Sequence, residues 1–280
     1  MIGRIVRRVG DVAVASTTSS STDTPSLVPA PLTRRLLAWE LGIVLALSLG
    51  ANAVSAVISF VGSLTAPAKL NTQTVGLNGS LAPGRPWLDL CWQLFGIATA
   101  LVPVVLVAHL LLRERSSLRA LGFDLTQRWK DLGRGFLIAA CIGGTGLMLY
   151  LGAHAAGVSL TVVPSSLPKV WWRIPVLILS AAQNAVVEEV IVIGYLLRRL
   201  DQLGWSWPAA VAASALLRGS YHLYQGVGGF VGNLAMGVIF CLLYRRWRRV
   251  APLALAHTLI DTVAFVGYVL LAGKVSWLPT

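Results

Sequence analysis

The sequence predicts an all-α protein, a polytopic membrane helical bundle of about seven transmembrane helices with its N-terminus inside and its C-terminus outside. Three observations lead to this prediction. Of the 280 residues, 56% are hydrophobic and 12% are charged, whereas a soluble domain carries about 25% charged residues. Several apolar segments reach about 20 residues, the length that a helix needs to cross the hydrocarbon core. Short clusters of Lys and Arg flank these segments.

The N-terminal segment 1–34 is poorer in hydrophobic residues than the chain as a whole. It begins with Arg4, Arg7 and Arg8 and continues into the Ser/Thr/Pro-rich stretch STTSSSTDTPSLVPAP. Such a composition buries too little apolar surface to offset the entropy of ordering. No uninterrupted apolar region follows Arg8, which argues against a cleaved signal peptide. We therefore predict a disordered cytoplasmic tail.

The remainder of the chain divides into two regions. Residues 35–165 are predicted to hold the N-terminal transmembrane helices and a basic cytoplasmic linker, and residues 166–275 a C-terminal membrane domain. The predicted spans are approximately 37–64, 88–112, 133–157, 172–197, 206–224, 227–244 and 250–272.

The orientation follows from the basic residues in the loops, because Lys and Arg are enriched on the cytoplasmic side of a membrane. Seventeen lie in the tail and the even-numbered loops, five lie in the odd-numbered loops, and Arg218 falls inside the fifth predicted span. The formal charge of +12 is thus explained by membrane flanks, and we expect no nucleic-acid partner. The three cysteines lie in apolar stretches without CxxC spacing, so they indicate neither a disulfide framework nor a metal site.

The fourth predicted span contains two consecutive carboxylates, Glu188 and Glu189. An ionisable side chain inside the hydrocarbon costs at least about 2.5 to 3.5 kcal/mol on insertion scales. Two adjacent carboxylates also repel each other, so at least one must stay protonated or gain a cationic neighbour. The arginines that mark the end of this span lie about ten residues further on, which argues against an interfacial pair and favours a functional role.

Histidines occur in two of the later spans. His257 and Asp261 are four residues apart in the last span, so both side chains project from one helical face. An aspartate that accepts a hydrogen bond from one ring nitrogen fixes the imidazole tautomer and leaves the other nitrogen free. His222 lies at the outer end of the fifth span, four residues after Arg218.

Other polar residues inside the spans carry weaker signals. Asn233 lies in the glycine-rich start of the sixth span, GVGGFVGNLAMG, where it serves either helix packing or substrate binding. His109 and His154 have no acidic neighbour at helical spacing, and we assign both a structural role.

The combined pattern of EE in one span, His in the next and HxxxD in the last resembles the CPBP family of intramembrane proteases, also called CAAX prenyl endopeptidases or the Abi family. The resemblance covers roughly residues 170–270, and LRALGF at 118–123 looks like the linker that often precedes this catalytic membrane domain. The family motifs are EExxxR, FxxxH and HxxxN or HxxxD. By this resemblance, the catalytic residues are Glu188, Glu189, His222, His257 and Asp261.

Two positions depart from the family motifs. Ile193 stands where the motif has arginine, and Arg218 stands where the second motif has phenylalanine. Ile193 lies about 7.5 Å of helix to the cytoplasmic side of Glu188, and Arg218 about 6 Å to the same side of His222. Arg218 therefore either replaces the missing arginine by pairing with Glu188 or Glu189, or extends to the cytoplasmic headgroups.

The resemblance implies an intramembrane endopeptidase of the bacterial plasma membrane that acts on a membrane-associated or prenyl/CAAX-like protein or peptide. We expect Glu188 to activate water, and His222 and His257 to orient that water or polarise the carbonyl, in one shared polar cavity. A zinc site formed by His222, His257 and Glu188 is left open. Membrane lipid is the other expected partner. Two alternatives remain: a proton-coupled transporter, and a non-catalytic immunity or binding protein of the same fold.

Overall fold

The computed structural model describes residues 32–276 and residue 278. The predicted disordered tail therefore lies almost entirely outside the described residues. The described chain is a helical bundle, with 74% of the protein in helices and almost no sheet. The predicted all-α membrane class is confirmed.

The N-terminal half begins with two interrupted spans. The first consists of α1 (Arg34–Ala46) and α2 (Leu49–Thr65), which are bent by 50° relative to each other. Ser48 lies at this bend, and its hydroxyl donates to the carbonyl oxygen of Val44 at 2.6 Å. Strand β1 (Thr74–Asn78) follows. The second span combines α3 (Pro86–Ala100) and α4 (Val102–Arg113).

The C-terminal half supplies the longer helices. Helix α5 (Arg128–Ala155) leads to strand β2 (Thr161–Ser165) and then to α6 (Arg173–Glu188). A seven-residue π-helical segment, Glu189–Tyr195, connects α6 without a break to α7 (Leu196–Gln202). Helices α8 (Trp207–Tyr221), α9 (Val227–Trp247) and α10 (Ala251–Leu271) complete the bundle.

By length and composition, five helices of the described chain can cross a membrane, and the number is six if the bent pair α1–α2 is one span. The predicted fifth span corresponds to α8, which has 15 residues and so measures about 22 Å. It is shorter than the hydrocarbon core of about 30 Å. The total of seven spans and their orientation therefore stay predictions.

The two short strands form a small parallel sheet beside the bundle. Thr74 is paired with Thr161, and the register continues to Asn78 and Ser165. A further backbone bridge joins Ser159 to Gly226, which adopts φ +100°. A Cβ atom at Gly226 would lie 2.7 Å from the Cα atom of Ser159, so only glycine fits this close approach. The bridge fixes the start of α9 against the chain that enters β2.

The predicted linker is held to the loop between α9 and α10. The backbone amides of Val250 and Ala251 donate to the carbonyl oxygens of Leu121 and Gly122, each at 3.1 Å. Beside these bonds, the guanidinium of Arg249 contacts Asp124 at 3.0 Å and Asp131 at 2.6 Å. The hydrogen bonds from Arg249 lower the pKa of Asp124 to about 2.

Candidate active site

The motif residues come from three helices that meet inside the bundle. Glu188 is the last residue of α6, and Glu189 is the first residue of the π-helical segment. His222 follows the last residue of α8, and His257 lies in α10. Single π-helical turns within α-helices occur frequently at functional sites, because the wider turn changes the direction of the side chains that follow it.

The carboxylate of Glu189 joins these helices. Its Oε1 atom accepts from Nη2 of Arg218 at 2.5 Å and lies 2.8 Å from Nδ1 of His257. Glu189 and Arg218 are fully buried, and His257 is only 3% exposed. Buried charges are tolerated only when they are paired and hydrogen-bonded. The contact between Glu189 and Arg218 therefore compensates both charges inside the bundle.

Arg218 thus adopts the paired arrangement rather than extending to the headgroups. Its guanidinium also lies 4.0 Å from Oε2 of Glu188 and 5.2 Å from the ring centre of Phe240. Ile193, at the position of the family arginine, is fully buried in the apolar core. Arg218 of α8 consequently supplies the cation beside the two glutamates. Ile193, at the motif position on the π-helical segment, contributes to apolar packing.

The carboxylate of Glu188 has different neighbours. Its Oε2 atom accepts from the hydroxyl of Tyr221 at 2.7 Å and lies 3.7 Å from Nε2 of His222. The imidazole of His222 is packed between Tyr221 and Tyr224, with ring centres at 4.9 and 6.5 Å. Tyr221 therefore fixes the Glu188 carboxylate next to an imidazole nitrogen of His222.

Glu188 and His222 both line a cavity of about 1160 Å³. Asp261 and Tyr221 line the same cavity. Much of the remaining wall is polar, with hydroxyl and amide side chains from α2 and α6: Asn52, Ser55, Ser59, Ser180, Gln183 and Asn184. Lipid hydrocarbon does not solvate such groups, and the cavity has the size and the polar wall that water molecules need.

The contact between His257 and Asp261 differs from the sequence expectation. Nε2 of His257 lies 3.6 Å from Oδ1 of Asp261, which is too long for a hydrogen bond. Glu189 instead makes the hydrogen bond that orients the His257 ring. The sequence placed His257 and Asp261 on one face correctly, but it gave no sign that a residue 68 positions away would take the orienting role.

The remaining predicted residues lie in ordinary structural environments. The side-chain amide of Asn233 donates to the carbonyl oxygen of Gly229 in its own helix at 3.0 Å. His154 contacts the hydroxyl of Thr161 at 3.0 Å, and His109 is exposed on α4. Tyr221 is a site residue that sequence reasoning missed. Its place directly before the motif histidine is the one signal for it in the sequence.

The three residues of the zinc site that the sequence left open, His222, His257 and Glu188, do not form one compact set. Among the described residues, the group whose ligand atoms all lie within 4.8 Å of one another is Glu188, Glu189 and His257, without His222. In that group Oε1 of Glu189 already contacts both Arg218 and His257. A zinc ion there would stand beside a guanidinium, and the like charges would repel each other. The residues present do not fit a zinc site.

Comparison with protein families identifies the C-terminal part of the chain. Residues 170–263 match the model described as "Type II CAAX prenyl endopeptidase Rce1-like". The matched range contains Glu188, Glu189, His222, His257 and Asp261. Comparisons with curated proteins and with solved structures give no match. The family match and the apolar helices together indicate an integral membrane protein. The resemblance seen in the motifs is therefore confirmed over residues 170–263, which are similar to the Rce1-like type II CAAX prenyl endopeptidases of the CPBP/Abi family.

Proposed function

We propose that this protein is an intramembrane endopeptidase of the bacterial plasma membrane. It hydrolyses a peptide bond of a membrane-associated or prenyl/CAAX-like protein substrate with water activated by Glu188. The observation that carries the proposal is the position of Glu188, held by Tyr221 and facing His222 in one polar cavity. The family match supports protease activity in general and does not favour the transporter or the non-catalytic alternative.

In the proposed mechanism, the attacking water lies on the cavity side of Glu188 and His222, within reach of Oε2 of Glu188. Glu188 takes a proton from this water as its oxygen bonds to the carbonyl carbon of the scissile peptide. The carbonyl oxygen gains negative charge, which the imidazole of His222 stabilises, because His222 lines the cavity and His257 does not. The carbon–nitrogen bond then breaks, and Glu188 returns its proton to the leaving amine. Water is added across the bond, with a carboxylic acid and an amine as the products.

Glu189 and Arg218 act as positioning residues in this scheme. The Oε1 atom of Glu189 holds both Arg218 and the ring of His257, so it sets the direction of that imidazole. The guanidinium lies near both glutamates and stabilises their negative charge. Glu188 is thereby kept in the ionised form that a general base requires.

The test is cleavage of a fluorogenic farnesylated peptide with a C-a-a-X ending by purified protein in lipid nanodiscs. Glu188→Gln should lower kcat about 100-fold or more, because general-base catalysis contributes at least that factor. Asp201→Asn makes the same acid-to-amide change at an exposed position on α7, and we expect it to retain wild-type activity.

Two further measurements complete this experiment. Equal thermal unfolding of both variants and the wild type would show that the loss is not caused by misfolding. Activity should also persist after incubation with a metal chelator, because no step depends on zinc. Undiminished cleavage by Glu188→Gln would contradict the proposed mechanism.

A further inference from the structure

The two edges of the small sheet have different surroundings. On the outer edge of β2, the backbone amide of Val162 donates to the hydroxyl of Tyr150 in α5 at 3.0 Å. That edge is therefore covered by the bundle. All five residues of β1 line the large cavity, together with Glu188 and His222. The outer edge of β1 is thus directed at the cavity that contains the candidate catalytic residues.

The direction of the β1 backbone groups follows from the register. The amide of Thr161 donates to the carbonyl oxygen of Gln73, so Gln73 and every second residue after it face β2. The amide and carbonyl groups of Thr74 and Gly76 then point away from β2. Both residues are exposed, and within the described part of the chain no residue outside the sheet bonds to their backbone. Unpaired strand edges of this kind accept another extended chain.

Backbone bonds connect this sheet to the second motif. The amide of Leu160, directly before β2, donates to the carbonyl oxygen of Gln225 at 3.1 Å. The amide of Val227 donates back to Val158 at 3.0 Å. These bonds hold the turn after His222 beside the start of the sheet. Backbone hydrogen bonds therefore connect the turn after His222 to the sheet that contains the open strand edge.

We propose that the substrate peptide binds in extended form along the free edge of β1, as a third strand of this sheet. This inference rests on the proposed endopeptidase activity and assigns the site that holds the substrate's backbone. An extended chain exposes its peptide bonds, whereas in a transmembrane helix they are enclosed in hydrogen bonds. Pairing with Thr74 and Gly76 stabilises the unwound chain and presents it to Glu188.

The edge also indicates how substrates are selected. The five residues TVGLN carry no charge. The carbonyl oxygen of Asn78 accepts from the amide of Ser166, so the free edge runs from Thr74 to Gly76 and pairs with about three substrate residues. Main-chain hydrogen bonds supply the affinity in this mode of binding, and pockets for alternate side chains supply the specificity. A Cβ atom at Gly76 would meet nothing within 4 Å, so the cavity has room for a bulky substrate side chain there.

The test removes one donor from the free edge. Gly76→Pro deletes the amide that points away from β2, and proline is tolerated at such positions of edge strands. For the farnesylated C-a-a-X peptide we expect KM to rise about tenfold, the loss of roughly one hydrogen bond, with little change in kcat. Gly76→Ala keeps the donor, so its KM must rise less than that of Gly76→Pro.

Lys69→Pro is the matched control for proline in the same loop. Lys69 is exposed, has φ −61°, lies outside the cavity lining and should accept proline without an effect on KM. A wild-type KM for Gly76→Pro would overturn the strand pairing and leave the proposed function intact. Absence of Glu188-dependent cleavage by the wild type would overturn the proposed function, and the strand inference with it.

A second measurement leaves the protein unchanged. Successive amides of the probe peptide are N-methylated, and each peptide is assayed with the wild-type enzyme. Strand pairing predicts a rise in KM at every second position, because alternate amides of an extended chain face β1. Uniform effects along the peptide, or none, would overturn the proposal even if Gly76→Pro failed to fold.

Discussion

At the scale of single residues, the pairing of Arg218 with Glu189 explains two departures from the family motifs together. Ile193 belongs to the buried apolar core, and the cation is supplied by Arg218 on the neighbouring helix. One guanidinium beside the two glutamates offsets the repulsion between their negative charges. A second guanidinium at the same place would be repelled by the first. The two substitutions should therefore be energetically coupled.

This coupling gives a prediction for cleavage of the farnesylated peptide. Arg218→Phe should reduce kcat/KM strongly and lower Tm, because removal of one partner from a buried ion pair costs about 3–5 kcal/mol. The double variant Ile193→Arg with Arg218→Phe should recover much of both quantities, because it restores the family arrangement.

The single variant Ile193→Arg is the control for the double variant. It places a second guanidinium in the core and should itself be destabilised. Full activity of Arg218→Phe alone would show that the guanidinium has no role at the site.

The sequence predicted the residues of the site better than their contacts. Glu188, Glu189, His257 and Asp261 were identifiable because ionisable side chains are rare inside apolar spans. The hydrogen bonds from Tyr221 to Glu188 and from His257 to Glu189 were not, because they join different helices, and spacing along one helix carries no information about such contacts.

At the scale of elements, the long apolar helices were predicted well and their interruptions poorly, while the number of spans stays a prediction. An apolar length of about 20 residues is a strong signal for each long helix. The bend between α1 and α2 depends on local backbone geometry at Ser48. Gly50 marks it in the sequence, because a Cβ atom there would lie 2.7 Å from the carbonyl oxygen of Leu45, but the predicted spans did not take this signal into account. The strands β1 and β2 were missed because each has only five residues, and their pairing joins loops that are distant in the sequence.

The contact between the linker and the loop before α10 yields a prediction for acid stability. The pKa of Asp124 is lowered to about 2 by Arg249, compared with about 3.9 in an unfolded chain. The resulting stabilisation is present above pH 4 and is lost as the pH falls towards 2. The Tm of the wild type should therefore decrease more steeply over this window than the Tm of Asp124→Asn.

Thermal unfolding in detergent between pH 5 and pH 2 measures this difference. The variant loses the ionisable group, so its own profile reports all other titrating residues. Parallel profiles of the two proteins would contradict a stabilising role for the ionised Asp124.

At the scale of the whole molecule, the topology is still a prediction from charge. Seventeen basic residues on one side against five on the other favour a cytoplasmic N-terminus and an external C-terminus. Reporter fusions at residues 20, 75, 160 and 275 should report inside, outside, outside and outside. A cytoplasmic signal at residue 275 would contradict an odd number of spans.

The short helix α8 has a consequence for the lipid around the protein. Its outward face is apolar, with Pro208, Ala209, Ala212 and Leu216 exposed, and its length of about 22 Å leaves a hydrophobic mismatch of about 8 Å with an average bilayer. If α8 crosses the membrane as predicted, the surrounding lipids must thin beside the wall of the bundle that ends at His222. The protein should then prefer thin bilayers, and its turnover in nanodiscs should fall as the acyl chains of the lipid are lengthened.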